Sequence, residues 1–255
     1  MNLRPSFVLI TLFTASYTSC QVSMFTEMKK PEQPVTGLPY SADQTVRTTQ
    51  MLANGTVLTH EVKGHIYRSG DGVERMEGTP PYTIPSGLDP APQVYILDRA
   101  KHTGVLLNTQ LKTAVVDHFP IDSTVTVSFL RMQEFDFQDH VIQPKNSVTT
   151  DLGQQVQDGL KLVGKHVVST IPMGTVGNDQ QLQITIDTWV APELKLVVNQ
   201  AERNPLAGER TLVLSNIVRD EPDPALFLIP EGYRVSDRPM PPSIPPMVPH
   251  PANPQ

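Results

Sequence analysis

The stretch from Leu182 to Val198 constrains this 255-residue chain more than any other. Leu182, Ile184, Ile186 and Val190 recur at even positions, with Gln183, Thr185 and Asp187 between them, and that period of two is the pattern of a half-buried strand. Pro192 lacks an N–H and suits a turn. Ala191 to Glu193 are therefore expected to connect this strand to a second alternating face that begins with Leu194, Leu196 and Val198. Trp189 falls on the face opposite the isoleucines. Such a hairpin does not stand alone: burying its aliphatics at about 1.5–3 kcal/mol each is offset by about 1–2 kcal/mol of backbone entropy per ordered residue. Other strands must complete a sheet.

Those strands are legible along much of the chain. Val46 to Leu52 and Val57 to Tyr67 flank Asn54-Gly55, a dipeptide suited to the two positive φ angles of a type I′ turn, so a first hairpin is expected there. Asn54-Gly55-Thr56 is also a glycosylation triplet, but the turn explains it better. Ser69-Gly-Asp-Gly72 reads as a second tight turn leading into Val73 to Met76, and the proline-rich stretch from Gly78 to Pro92 as a surface loop. Val94–Leu97, Gly104–Leu107 and Lys112–Val116 read as a three-stranded meander. Gly159 sets a turn before a strand from Leu160 to Ile171, and residues 172–179 form a loop before the central hairpin. In Glu209 to Val218, Leu212 and Leu214 share one face while Val213 and Ile217 lie on the other. Apolar residues on both faces imply cover on both sides or an apolar groove on one. Asp223-Pro224 has a carboxylate cap and a proline for the first helical position, with room for one turn before Pro230. The expected class is mainly β with few short helices.

The ends read differently. Arg4, the apolar run Phe7 to Phe13 and the small and polar residues up to Cys20 have the order of a secretory signal, assigned to residues 1–20. Residues 21–39, with Pro31, Pro34 and Pro39, read as an extended linker. A single domain is expected over 40–237, with a variable insertion near 117–151 that holds a candidate strand at Val125–Leu130 and two anchoring phenylalanines, Phe135 and Phe137. Residues 238–255 form a proline-rich tail expected to be extended or disordered. Cys20 is the only cysteine, so no disulfide forms within one chain. Directly after the apolar run, Cys20 is either the lipidated first residue of a lipoprotein or an unmodified neighbour of the cleavage site.

Several function classes find no support in the residues. The net charge of −6 with no long basic run argues against nucleic acid as a partner. After the signal no apolar run is long enough for a transmembrane helix. The seven histidines show no HExxH spacing, and no Gly-x-Ser-x-Gly elbow, Walker loop or dinucleotide fingerprint is present. Carboxylates at 134, 136 and 139 lack the glycine turn and closing glutamate of a calcium loop. No catalytic, cofactor-binding or metal-ligating residue is assigned, and a non-enzymatic protein is expected.

The order Trp189-Val-Ala-Pro192-Glu-Leu194-x-Leu196, then Gly208-Glu209, Leu214-Ser-Asn216-Ile217 and Asp223-Pro-Ala-Leu-Phe227-x-Ile-Pro230-x-Gly232-Tyr233 resembles exported bacterial proteins of the lipoprotein-carrier-like group, which includes sigma-factor regulators. The likeness extends furthest to a subfamily of secreted proteins without an assigned activity. It rests there on Pro39-Tyr-Ser-Ala-Asp43, Tyr67-Arg68, Thr170-Ile-Pro172-x-Gly174 and Gly177-Asn178. The resemblance implies a curved, largely antiparallel half-barrel whose concave face binds acyl chains. Trp189, Pro192, Leu194, Asn216, Asp223, Phe227 and Pro230 carry it as structural motif residues. The departures are few aromatics for a lined concavity and no legible helices to plug it. Two readings follow: an exported binding module for a lipid or lipid-modified ligand, located in the periplasm or cell envelope, and alternatively an envelope sensor or scaffold that binds a protein.

Overall fold

The computed structural model describes residues 33–78, 92–118 and 147–238. They form twelve strands: β1 (Tyr40–Met51), β2 (Val57–Arg68), β3 (Glu74–Gly78), β4 (Gln93–Asp98), β5 (Thr103–Asn108), β6 (Thr113–His118), β7 (Ser147–Gln157), β8 (Leu160–Ile171), β9 (Leu182–Ala191), β10 (Leu196–Asn204), β11 (Gly208–Val218) and β12 (Arg234–Arg238). All belong to one sheet, ordered β12-β6-β5-β4-β3-β2-β1-β11-β10-β9-β8-β7. Every pairing is antiparallel except that of β12 with β6, which is parallel because the chain crosses the sheet between β11 and β12. The sheet is curved and does not close, as the expected half-barrel requires.

Side-chain alternation decides which face each residue serves. Along β1, Tyr40, Ala42, Gln44 and Val46 are buried and the residues between them are not. Tyr40, Ala42 and Val46 join Ile66, Leu196, Val198, Leu212, Leu214 and others in the main core cluster. The face on which Leu212 and Leu214 of β11 lie, with the residues that the ladders set level with them, is called the inner face below. Met76 touches both this cluster and a smaller one around Tyr95 and Leu97, so the inner face continues across β3 and β4. On the other face of the meander, Val94, Ile96, Leu107 and Ala114 form a separate cluster covered by Ile229 and Tyr233. The cover comes from the segment between β11 and β12, which acts as a strap. Its carboxylate at Glu221 accepts from the Gly70 N–H at 2.9 Å, and the Leu226 carbonyl accepts from Arg75 Nη1 at 2.5 Å. Apolar residues on both faces thus mean cover on both sides in β4.

Two bulges redirect side chains that simple alternation misplaces. The pairing of β9 with β10 shifts between Val197 and Asn199, and as a result Leu196, Val197 and Val198 are all buried in succession. Asn216 adopts φ +53° where the β1–β11 register shifts. The shift corrects the expected assignment of Ile217 to the outer face with Val213: Ile217 joins Leu212 and Leu214 in the main cluster, while Val213 stays 40% exposed.

Three further expectations need correction. The central turn occupies Pro192 to Lys195 rather than Ala191 to Glu193, because β9 runs through Ala191 and Lys195 takes the left-handed conformation, φ +49°. At the first hairpin only Gly55 has positive φ, and Asn54 instead accepts the Thr56 N–H on its side chain at 3.0 Å. The loop is therefore a five-residue one and not a type I′ turn. Lys112, expected in a strand, is a turn residue with φ +48°. Strand β7 has no counterpart in the sequence reading, and begins within the stretch assigned to an insertion. The meander, the Ser69–Gly72 turn and the single helical turn stand as expected, the last as a 3-10 helix over Pro224–Phe227.

Core truncation should separate the two faces of β11. Leu212→Ala is expected to cost about 2–5 kcal/mol, whereas Val213→Ala one position away should stay within about 0.5 kcal/mol; urea unfolding measures both. At the bulge, Asn216→Gly keeps the backbone conformation and should be tolerated better than Asn216→Val by about 1–2 kcal/mol.

Candidate ligand-binding face

Arg68 is the first residue to place, because a fully buried guanidinium is costly and must be held by specific partners. It is 2% exposed. Its Nε donates to the Leu38 carbonyl at 2.9 Å and its Nη2 to the Leu194 carbonyl at 2.5 Å, while the guanidinium carbon lies 4.7 Å from the centroid of the Tyr40 ring. Burial pulls the Arg68 pKa down and pushes that of Tyr40 up. Leu194 belongs to the β9–β10 turn, three strand spacings from β2. In a flat sheet those spacings amount to about 14 Å, farther than one side chain extends, so the bond to Leu194 is made only because the sheet bends inward.

The motif residues named from sequence sort into three places. Trp189 is half-buried against the main cluster and lies over Gly164, where a Cβ would meet its ring at 2.7 Å. Pro192 begins the turn whose Leu194 is a core residue and the acceptor for Arg68. Asn216 anchors its bulge by donating from Nδ2 to Asp43 Oδ2 at 2.7 Å, and Asp43 also pairs with His65 Nδ1 at 2.6 Å. Asp223 caps the 3-10 helix by accepting the Ala225 N–H at 2.9 Å, Phe227 ends that helix, and the Pro230 carbonyl accepts from Tyr233 N as the strap turns toward β12. They position the bend and the strap rather than meeting at one point. Cys20, residues 134–139 and the Val125–Leu130 candidate strand lie outside the described residues, as does nearly all of the proline-rich tail.

On the inner face, the ladders of β8, β9, β10, β11 and β1 set residues in rows. One row runs Thr188, Gln200, Leu212, Val46, and the next runs Val167, Ile186, Glu202, Arg210, Thr48. Thr188, Gln200, Leu212 and Val46 are buried. Val167, Ile186 and, one row further, Ile184 are only half-buried and belong to none of the buried clusters. The inner face therefore changes along the strands from packed core, through a polar band, to a partly open apolar surface. Sequence reading placed the isoleucines on one face but missed the polar band. The signal was present: Gln44 occupies the buried phase Tyr40-Ala42-Gln44-Val46.

Among the described residues, no group of three His, Cys, Asp or Glu side chains is placed to hold a metal ion, and no helix is long and apolar enough to cross a membrane. His166 pairs with Asp187 at 2.5 Å, and Asp187 also meets Arg203 at 3.3 Å. These pairs tie neighbouring strands of the β8–β9–β10 ladder.

No family model matches the chain, and no curated protein matches it. Among solved structures it is similar to an uncharacterized conserved protein of Thermus thermophilus, with 10% identity, 79% of this chain and 91% of that one covered and a TM-score of 0.41. It is similar to LprF of Mycobacterium bovis, with 16% identity, coverage of 74% and 90% and a TM-score of 0.36. A LolA-superfamily protein of Nitrosomonas europaea matches with 8% identity, coverage of 76% and 92% and a TM-score of 0.35.

Removing Arg68 leaves two inner carbonyls without their donor. Arg68→Met is expected to lower stability by about 3 kcal/mol, and Arg68→Lys to recover only part, because a single ammonium does not span both acceptors; chemical denaturation reports both. Burial also pushes the Tyr95 phenol up to about 12. The unfolded chain then loses this proton near pH 10 while the folded one keeps it, so stability present below pH 10 falls by about 1.4 kcal/mol per unit up to about pH 12. Tyr95→Phe should flatten that fall in an alkaline denaturation series, since its hydroxyl is buried without a hydrogen-bond partner.

Proposed function

We propose that this chain is an exported, non-enzymatic binding protein whose inner face receives a lipid or lipid-modified ligand. The observation that carries the reading is the half-buried surface of Ile184, Ile186 and Val167, which continues the inner face beyond the packed core. The strap, which includes the 3-10 helix, is spent on the opposite face, where its Ile229 and Tyr233 cover Val94, Ile96 and Ala114. Among the described residues nothing else helical is available to plug the inner side. Half-buried apolar surface of this kind gains free energy from any chain that removes its remaining area from water, at about 25 cal/mol per Å². The sequence resemblance to the lipoprotein-carrier-like group points to the same ligand class. Under this reading the signal-like stretch before Cys20 supports export to the periplasm or cell envelope, with Cys20 either lipidated or unmodified.

A second reading draws on β7. It ends the sheet and is exposed along most of its length, with Val148 and Val156 66% and 75% accessible. Asp151 is its one charged residue, so it lacks the lysines and prolines that usually blunt an edge. A protein partner would add a strand there, as a sensor or scaffold requires.

Native mass spectrometry of gently extracted protein is expected to show a bound amphiphile, and the stripped protein to take up a fluorescent fatty acid. Ile186→Asp should weaken uptake by about tenfold or more, while Val213→Asp leaves it unchanged. A clean apo mass with no uptake, together with crosslinking through β7 to one defined protein, would favour the second reading instead.

A further inference from the structure

Among the described residues, the Nε2 atoms of Gln44 and Gln200 and the Nη2 of Arg210 are shielded from solvent and have no hydrogen-bond partner. Gln44 and Gln200 are 8% and 6% exposed. The ladders place all three on the inner face around Leu212. Gln200 lies directly opposite Leu212, Arg210 is two residues before it on β11, and Gln44 is opposite Leu214 on β1. Gln200 and Arg210 are diagonal neighbours on adjacent strands, a separation of about 7–8 Å that long side chains close easily. Each unpartnered atom is an N–H donor, and a guanidinium has no acceptor of its own to offer. Buried donors are almost always satisfied in folded proteins, so three on one patch call for an acceptor that arrives from outside.

The charge around the patch narrows what that acceptor is. Glu202 sits directly opposite Arg210 on β10, and its field acts on the guanidinium. Two neutral amides and a cation balanced by a carboxylate favour a neutral oxygen over a full anion. On the other side of Glu202, Ile186 and then Val167 continue the row with half-buried apolar side chains. We propose that Gln200, Arg210 and Gln44 receive the carbonyl oxygens of an acyl ester or acyl amide whose hydrocarbon chain lies along Ile186, Val167 and Ile184. This assignment rests on the lipid-binding reading and adds to it the polar group that the ligand must carry.

The test compares two probes on the full chain by calorimetry: a monoacylglycerol and the glyceryl ether with the same chain and head but no carbonyl. The ester is expected to bind about tenfold more tightly, the worth of one well-made hydrogen bond. Gln200→Met, which keeps length and removes the donor, should abolish that preference, leave ether affinity unchanged and raise the thermal stability of the ligand-free protein. Equal binding of both probes to the wild-type chain overturns the carbonyl assignment and leaves lipid binding standing, as expected if ordered water fills the patch. Equal weakening of both probes in Gln200→Met also overturns it. Binding of neither probe overturns the lipid reading and this proposal together. Should Gln200→Met fail to fold, the wild-type comparison and Gln44→Met decide.

Discussion

The inward bend of the sheet, fixed where the Arg68 guanidinium spans from β2 to the Leu194 carbonyl, is the constraint on which the remaining packing depends. A single sheet hides one face from water only by curling over it or by finding a second layer. Here β2, the β9–β10 turn and the segment before β1 converge on one cation, whose donors satisfy the Leu38 and Leu194 carbonyls and whose flat face stacks on Tyr40. The arrangement is costly in desolvation and has few alternatives. A lysine would not reach both carbonyls, and an apolar residue would leave both without a donor. The bend in turn brings Leu160 and Leu162 into one cluster with Tyr40 and Ile66, and all four are almost completely shielded.

The division of labour between the two faces follows from where the chain places its strap. After β11 the chain crosses the outside of the meander, fixed at Gly70 by Glu221 and at Arg75 by the Leu226 carbonyl, before Arg234 begins a parallel strand on β6. Ile229 and Tyr233 close the outer cluster. With that segment committed to the outside, the inner face beyond Leu212 keeps a band of buried donors and a half-buried run of isoleucine and valine. That order, polar then apolar along the strands, is the one on which the proposed amphiphile rests.

Much of the fold was legible because the period-two pattern survives wherever one face is packed and the other wet. The central hairpin, the meander and the cap at Asp223 were all readable for that reason. Strand β7 was not, since it is exposed along most of its length and its residues Thr149, Thr150, Gln154 and Gln155 carry no apolar alternation. Ile217 was assigned to the wrong face because one residue in the left-handed region, Asn216, reverses the phase of everything after it. The candidate face was half legible: Ile184 and Ile186 were placed together, but only the register sets Gln44 and Gln200 beside Leu214 and Leu212.

The sequence by itself determined a mainly β chain, the approximate positions of several tight turns and the residues that stop the helical turn at Pro224–Phe227, because these depend on neighbours a few positions apart. Only the tertiary structure decided which face of each strand is inside, where the strap lies and that Gln44 ends on one patch with Gln200 and Arg210, more than 150 residues further along the chain. Those outcomes depend on bulges and strand order, and a strand order in which β1 sits beside β11 joins parts of the chain that no local pattern connects.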